Sequence, residues 1–242
     1  MNWQKSLIKT LGIASISAIA TLSGYQVARG VTFAPPPENG APRSGAGAAS
    51  RSGQLCEATA SAAKTMPSSP TLLLPEGNYG QTLSAHPTIL VYVPVTGAGE
   101  ALFSLKDKEK NVIYTTKVTL SEKAEIIAIK LPEDSPVLEV GETYKWLFAL
   151  NCEGSLRPLD PVEGWIERIE GDGEQLVAGA ARNTLETAAS YAAAGIWYDT
   201  VLALAHLRKN QPTDDTIEQH WQELLNSVGL KDLQGVSLGD SL

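Results

Sequence analysis

The chain has 242 residues, 43% of them hydrophobic and 19% charged, an ordinary globular composition that excludes collagen-like, wholly disordered and polytopic membrane chains. Nineteen Lys and Arg stand against 27 Asp and Glu, a net charge of −8; so acidic a chain lacks the basic footprint that binds a nucleic-acid backbone. Two cysteines and three histidines are too few for zinc-finger or iron–sulfur arrays.

Lys5 and Lys9 precede a run without charge, residues 10–28, which Arg29 ends. A basic start followed by an apolar heart is the arrangement of a secretory signal peptide. Ala28 and Gly30 put small residues at the −3 and −1 positions of a cut after Gly30. Residues 1–30 are therefore expected to be a signal peptide, and the protein to be exported to the periplasm or the extracellular envelope. The alternative is an inner-membrane anchor formed by residues 10–28, near the lower length limit of a span. Membrane contact is expected through that segment, left uncut, if at all. Residues 1–30 hold three bases and no acid, so the rest carries 16 basic and 27 acidic residues, net −11. Residues 31–55 follow as an expected disordered linker: sixteen of the twenty residues 34–53 are Pro, Gly, Ser or Ala and none is large and apolar, too little surface to offset the entropy of ordering.

Residues 56–170 are expected to form an antiparallel β-sandwich of immunoglobulin or fibronectin type. Seven segments rich in β-branched and aromatic residues follow one another at short spacing: 71–75, 87–95, 101–107, 112–120, 124–132, 143–152 and 164–170. That number and spacing, with turn residues between, is the sandwich signal. Gly141 and Tyr144 resemble the corner of such folds in which a strand tyrosine bonds back to upstream backbone. Cys152 falls on the inward face with Tyr144, and Cys56 stands at the end of the linker. In an oxidising compartment they are a disulfide candidate.

From residue 171 to 230 the period becomes helical and alanine dominates. Helices are expected over 174–182, 184–194 with Asn183 and Glu186 as a capping pair, 196–210, and 215–229 capped by Asp214. Arg208 and Lys209 occupy the last turn of the third of these, as the helix dipole favours. Ala188, Tyr191, Gly195, Tyr198, Leu202 and Pro212 resemble one tetratricopeptide-type helix pair. A lone repeat cannot build a solenoid, so these helices are expected to pack on the sandwich or against another protein. Residues 231–242 read as a C-terminal tail.

No GxSxG elbow, P-loop, HExxH or GxGxxG fingerprint is present. His86, His206 and His220 lack the spacing of metal ligands, and no metal or cofactor is expected. Glu163, Glu167, Glu170 and Asp160 cluster in sequence, but a hydrolase needs two carboxylates facing one another across a cleft. The chain is therefore expected not to be an enzyme. Trp146, Trp197 and Trp221 lie on apolar stripes, whereas Trp165 fits either core or an exposed sugar-stacking ring.

Several motifs in order have a family resemblance: Pro35-Pro36-Pro37, Ser84-Ala85-His86-Pro87, Leu138 to Cys152, Val162-Glu163-Gly164-Trp165-Ile166, Ala194-Gly195-Ile196-Trp197-Tyr198-Asp199, and Trp221 with Leu224-Leu225 and Val228-Gly229-Leu230. The chain resembles the uncharacterised cyanobacterial family known as domain of unknown function 928. The resemblance implies a cyanobacterial, exported protein and carries over no catalytic residue. The function expected is a non-catalytic adaptor of the cell envelope, its partner another envelope protein and its interaction surface drawn from Trp165, Trp197, Tyr198 and Asp199. The alternatives are a polysaccharide- or wall-binding domain using an exposed Trp165, and an envelope polymer hydrolase.

Overall fold

The computed structural model describes residues 30–36, 56, 66–171 and 184–242. Among them are eight strands, β1 (Thr71–Leu72), β2 (Tyr79–Thr82), β3 (Thr88–Val93), β4 (Glu100–Lys106), β5 (Val112–Thr119), β6 (Glu125–Lys130), β7 (Thr143–Asn151) and β8 (Val162–Arg168), and three helices, α1 (Leu185–Ala193), α2 (Trp197–Asn210) and α3 (Asp215–Ser227). The strands make two sheets, β1-β3-β6 and β2-β8-β7-β4-β5. The class is α+β, as the sequence led us to expect.

The alternation read in the sequence sets the faces of the larger sheet. Ala101, Phe103 and Leu105 of β4 and Tyr144, Trp146, Phe148 and Leu150 of β7 are buried on one side, joined by Ile166 of β8. Period two makes this inevitable once one face is covered. The smaller sheet reads differently. From Ile89 to Val93 every residue of β3 is buried, and so are Ile126 to Ile129 of β6. Such runs belong to strands covered on both faces. Their side chains join those of α2 and α3, including Trp197 and Trp221, in one continuous hydrophobic cluster. Each fully buried Leu, Ile or Phe in it contributes about 1.5–3 kcal/mol.

Eight strands stand where seven were expected, and the added one is β2. Tyr-Gly-Gln-Thr has no apolar alternation to announce it. It pairs in parallel with β8, Tyr79 opposite Trp165 and Thr82 opposite Arg168. At the Gly141–Tyr144 corner the Glu139 N–H donates to the Tyr144 hydroxyl at 3.0 Å, and Gly141 supplies the positive φ of +81° that the turn requires. Cys56 and Cys152 are bonded, Cα to Cα 5.3 Å, across a sequence separation of 96. Closing so long a loop is worth on the order of 4 kcal/mol in the chain-entropy account.

The helix expected over 174–182 and the cap Asn183 lie outside the described residues. At α1 the side-chain cap is Thr184, which accepts from the Thr187 N–H. Asp214 caps α3 by accepting from the Thr216 and Ile217 N–H groups.

The N-terminal flank of the folded part departs from the expectation. Val31, placed at the head of a disordered linker by composition, is 1% exposed. Residues 30–36 lie along the helices. The Phe33 N–H donates to Ser227 Oγ at 3.2 Å and the Ala34 N–H to the Ala192 carbonyl at 3.1 Å, while the Phe33 ring meets Trp197 edge-on with centroids 4.9 Å apart. The rest of the expected linker that precedes Cys56, residues 37–55, is outside the described residues. The C-terminal tail, too, is packed. After a 3₁₀ turn at Lys231–Leu233, it runs beside β6, where the Ile126 N–H donates to the Ser237 carbonyl and the Gly239 N–H to the Ile126 carbonyl, both at 2.9 Å. The Ala128 N–H donates to Ser241 Oγ. An open edge strand invites pairing with other chains, and this tail covers one.

Candidate functional site

Gly195, at φ +77°, turns the chain out of α1 so sharply that Ile196 alone separates it from α2. The next three residues, Trp197, Tyr198 and Asp199, then point into the molecule rather than out of it. The Trp197 indole N–H donates to the Leu73 carbonyl at 2.7 Å. The Tyr198 hydroxyl accepts from Trp146 Nε1 at 2.7 Å and donates to the Trp165 carbonyl at 3.0 Å. Asp199 Oδ2 accepts from Thr82 Oγ1 at 2.7 Å and from the Leu83 N–H at 3.1 Å. One turn of helix is thus fastened to β7, to β8, to the end of β2 and to the segment after β1. Gly80 makes room for it, since a Cβ there would lie 2.9 Å from Tyr198 Cε2.

Burial sets the ionisation of this cluster. It raises the Tyr198 hydroxyl far above the usual phenol range, against the lowering effect of the Trp146 hydrogen bond. It likewise raises the Asp199 carboxyl, against the hydrogen bonds from Thr82 and Leu83 that lower it. Trp197 is 0% and Tyr198 2% exposed. Three of the four residues expected to form an interaction surface therefore hold the helices on the sheets. The amphipathic pattern identified them as special, but it does not tell which neighbour their polar tips meet.

Trp165 is placed differently. It lies on the outward face of the larger sheet, half-buried. The pairing registers set Lys106, Lys145, Trp165 and Tyr79 in one row across β4, β7, β8 and β2. Neighbouring strands are about 4.8 Å apart, and alternate residues share a face. The Lys145 ammonium stands 5.4 Å from the Trp165 ring centroid and pairs with Glu163. On the other side the Tyr79 hydroxyl donates to Glu167. Burial, then that hydrogen bond and the charge of Glu167, raise the Tyr79 hydroxyl well above its ordinary range. An indole and a phenol side by side, with a carboxylate on either flank of the indole along β8, make a flat apolar strip bordered by hydrogen-bonding groups. Tyr79 was not singled out from the sequence. Its strand carries no apolar alternation, so nothing marked its neighbour across β8.

Of the four acids weighed as catalytic candidates, Glu163 and Glu167 fall into this surface, whereas Asp160 and Glu170 lie beyond the two ends of β8. Glu163 and Glu167 lie along one face of β8, engaged by Lys145 and Tyr79 respectively. Among the described residues no group of three His, Cys, Asp or Glu side chains is placed to hold a metal ion. No helix among the described residues is long and apolar enough to cross a membrane.

A family model described as Domain of Unknown Function (DUF928) matches residues 46–238. No curated protein matches the chain.

Proposed function

This chain belongs to the family of domain of unknown function 928, and from that starting point we propose that it is an exported, non-catalytic recognition module of the cyanobacterial cell envelope that binds polysaccharide on the outward face of its larger sheet. The row formed by Tyr79 and Trp165 carries the reading. Sugar rings stack their C–H faces on flat aromatic plates, while their hydroxyls need donors and acceptors at the rim. Trp165 supplies the plate, and Glu163, Glu167 and Lys145 supply the rim. The strip sits on strands whose other face is core, so it is held rigid before any ligand arrives, which lowers the ordering cost of binding. The Cys56–Cys152 bond supports an oxidising compartment.

A protein partner is the second reading, and the exposed apolar side chains support it. Val112, Val137 and Val140 are each half or more exposed, and a Lys108–Glu142 ion pair links the β4–β5 turn to the corner that bears Val140.

The test is retention of the purified protein on cyanobacterial wall polysaccharide, for wild type and Trp165→Ala. Loss of a central aromatic anchor is expected to weaken retention at least tenfold, roughly 1.4 kcal/mol, with the thermal midpoint little changed. Equal retention by both proteins refutes the role of Trp165. Capture of a stoichiometric envelope polypeptide in place of glycan moves the assignment to the adaptor reading.

A further inference from the structure

The start of the described chain has a proton count that does not close. The Val31 backbone N–H donates to His220 Nδ1 at 3.2 Å. The same Nδ1 is 3.4 Å from Glu223 Oε2. That oxygen is buried and has no hydrogen-bond partner among the described residues, while Oε1 of the same carboxylate accepts from Gln219 Nε2. His220 Nδ1 thus stands between one backbone N–H and one carboxylate oxygen. If Nδ1 is bare it can take the Val31 proton, and Glu223 Oε2 is left with nothing. If Nδ1 carries a proton it can serve Glu223, and the Val31 N–H is left with nothing. A buried polar atom without a partner is costly, and more so when it is charged. Gly30 is pressed against the same carboxylate, so that a Cβ at that position would collide with Glu223 Oε2. The Gly30–Val31 junction thus lies against the unpartnered oxygen, and it is also where Ala28 and Gly30 offer small residues at the −3 and −1 positions of a signal-peptide cut.

We infer that the chain is cut between Gly30 and Val31 and that the freed α-ammonium of Val31 is captured by Glu223 and His220 on α3. Water hydrolyses the peptide bond under a peptidase of the exporting host. The C–N bond breaks, Gly30 leaves with the new carboxylate, and the new amine on Val31 takes up a proton. An ammonium has three N–H groups. One keeps the bond to His220 Nδ1, a second reaches Glu223 Oε2, and the charge makes both stronger than neutral bonds. Val31, 1% exposed, and Phe33, against Trp197, seat the residues that follow. The buried state of Val31 requires the cut to precede docking, while the chain is still extended. Capture then closes the helices over their own mature end.

The inference rests on the export part of the proposed function, and the experiment separates the two. The full chain is produced in an exporting bacterial host, the product is fractionated, and its intact mass is measured. A product beginning at Val31 is expected in the exported fraction. Its α-amine is then labelled at neutral pH with an amine-reactive ester, which selects for α-amines over lysines through their lower ordinary pKa. Labelling is expected to be at least about tenfold slower in the folded wild type than in Glu223→Gln, or than in the same wild type unfolded in urea, a comparison that needs no variant. Glu223→Gln is expected to lower the thermal midpoint by about 3 °C when the amine is free and by nothing once it is acetylated. A purely structural Glu223 would show the same drop in both. A different first residue, or labelling as fast in the folded wild type as in urea, overturns the capture. An uncut chain in the exported fraction overturns the cut and the capture that needs it, whereas retention of the whole chain in the cytoplasm overturns the export reading as well.

Discussion

Replacing Tyr198 by Phe removes one oxygen atom from the joint between helices and sheets. The ring stays, so the apolar contacts on Gly80 and within the core are kept. What is lost is the acceptor for Trp146 Nε1 at 2.7 Å and the donor to the Trp165 carbonyl at 3.0 Å. Trp146 is 0% exposed, and its ring is stacked with Phe103 at 6.2 Å between centroids. It cannot turn its N–H to water without leaving that stack. An orphaned buried donor costs about 1–3 kcal/mol, and the orphaned carbonyl, which keeps a second lone pair, adds less. We expect Tyr198→Phe to cost roughly 2–3 kcal/mol. For a domain of this size that is about 5–10 °C in thermal midpoint. Urea denaturation followed by tryptophan fluorescence reads the loss directly, with the midpoint lowered and the slope unchanged. Polysaccharide retention by the folded fraction should equal that of wild type. A loss below about 0.5 kcal/mol would mean that the Trp146 N–H is satisfied elsewhere, and the reading of this joint fails. Loss of ligand with full stability would return Tyr198 to the surface role that its sequence position first suggested.

Two further predictions concern groups that the fold holds inside. Burial raises the Asp199 carboxyl above its ordinary value, so the folded state favours the protonated form. Its contribution to stability is therefore fully present below the unfolded-state pKa and is lost as pH rises through the folded one. Asp199→Asn keeps an acceptor for Thr82 and Leu83 and has no such loss. Its stability relative to wild type should increase from about pH 4 upward, and a flat or falling difference in urea midpoints across that range would refute it. Lys209 donates to the carbonyls of Gly239, Asp240 and Leu242 and so fastens the tail over β6. Lys209→Ala should loosen that cover by about 1–2 kcal/mol, speeding amide exchange at Ile126 and Ala128 roughly five- to thirtyfold while leaving β4 and β7 unchanged.

The strands of the larger sheet were legible because period-two alternation is dictated by a one-sided face, and β4 and β7 have one. The disulfide was legible from compartment and parity, and the tyrosine corner from Gly141 and Tyr144 at the head of a strand. β2 was not, because Gly80 and Thr82 are buried by what lies over them, and small residues chosen for clearance look like loop. Tyr198 and Asp199, and Trp197 in so far as it was grouped with them, misled for a related reason. Each has a polar tip, and at a helix start polar tips suggest solvent. Here they meet an indole N–H, backbone carbonyls, a hydroxyl and a backbone N–H that belong to strands, or to the residues directly after them, more than thirty residues away in sequence. Periodicity reports which face of an element is apolar; it carries no information about the partner that covers it.

The flanks follow from the same physics. Val31 and Phe33 are the last large apolar residues before a twenty-residue stretch that has none, and two such side chains next to each other in period are enough for a short anchored segment. Composition averaged over 31–55 hid them. At the other end, Leu233 and Val236 are buried, and the Arg208 guanidinium, 5.4 Å from the Trp221 ring, donates to the Val236 carbonyl at 2.7 Å. The two cations in the last turn of α2 thus bind tail carbonyls in addition to complementing the helix dipole. A chain trimmed to its obvious strands and helices would expose the edge of β6 and uncover the Phe33 face of Trp197. Both flanks are therefore parts of the folded unit, and truncations meant to isolate its binding face should begin no later than Val31 and retain Ser241.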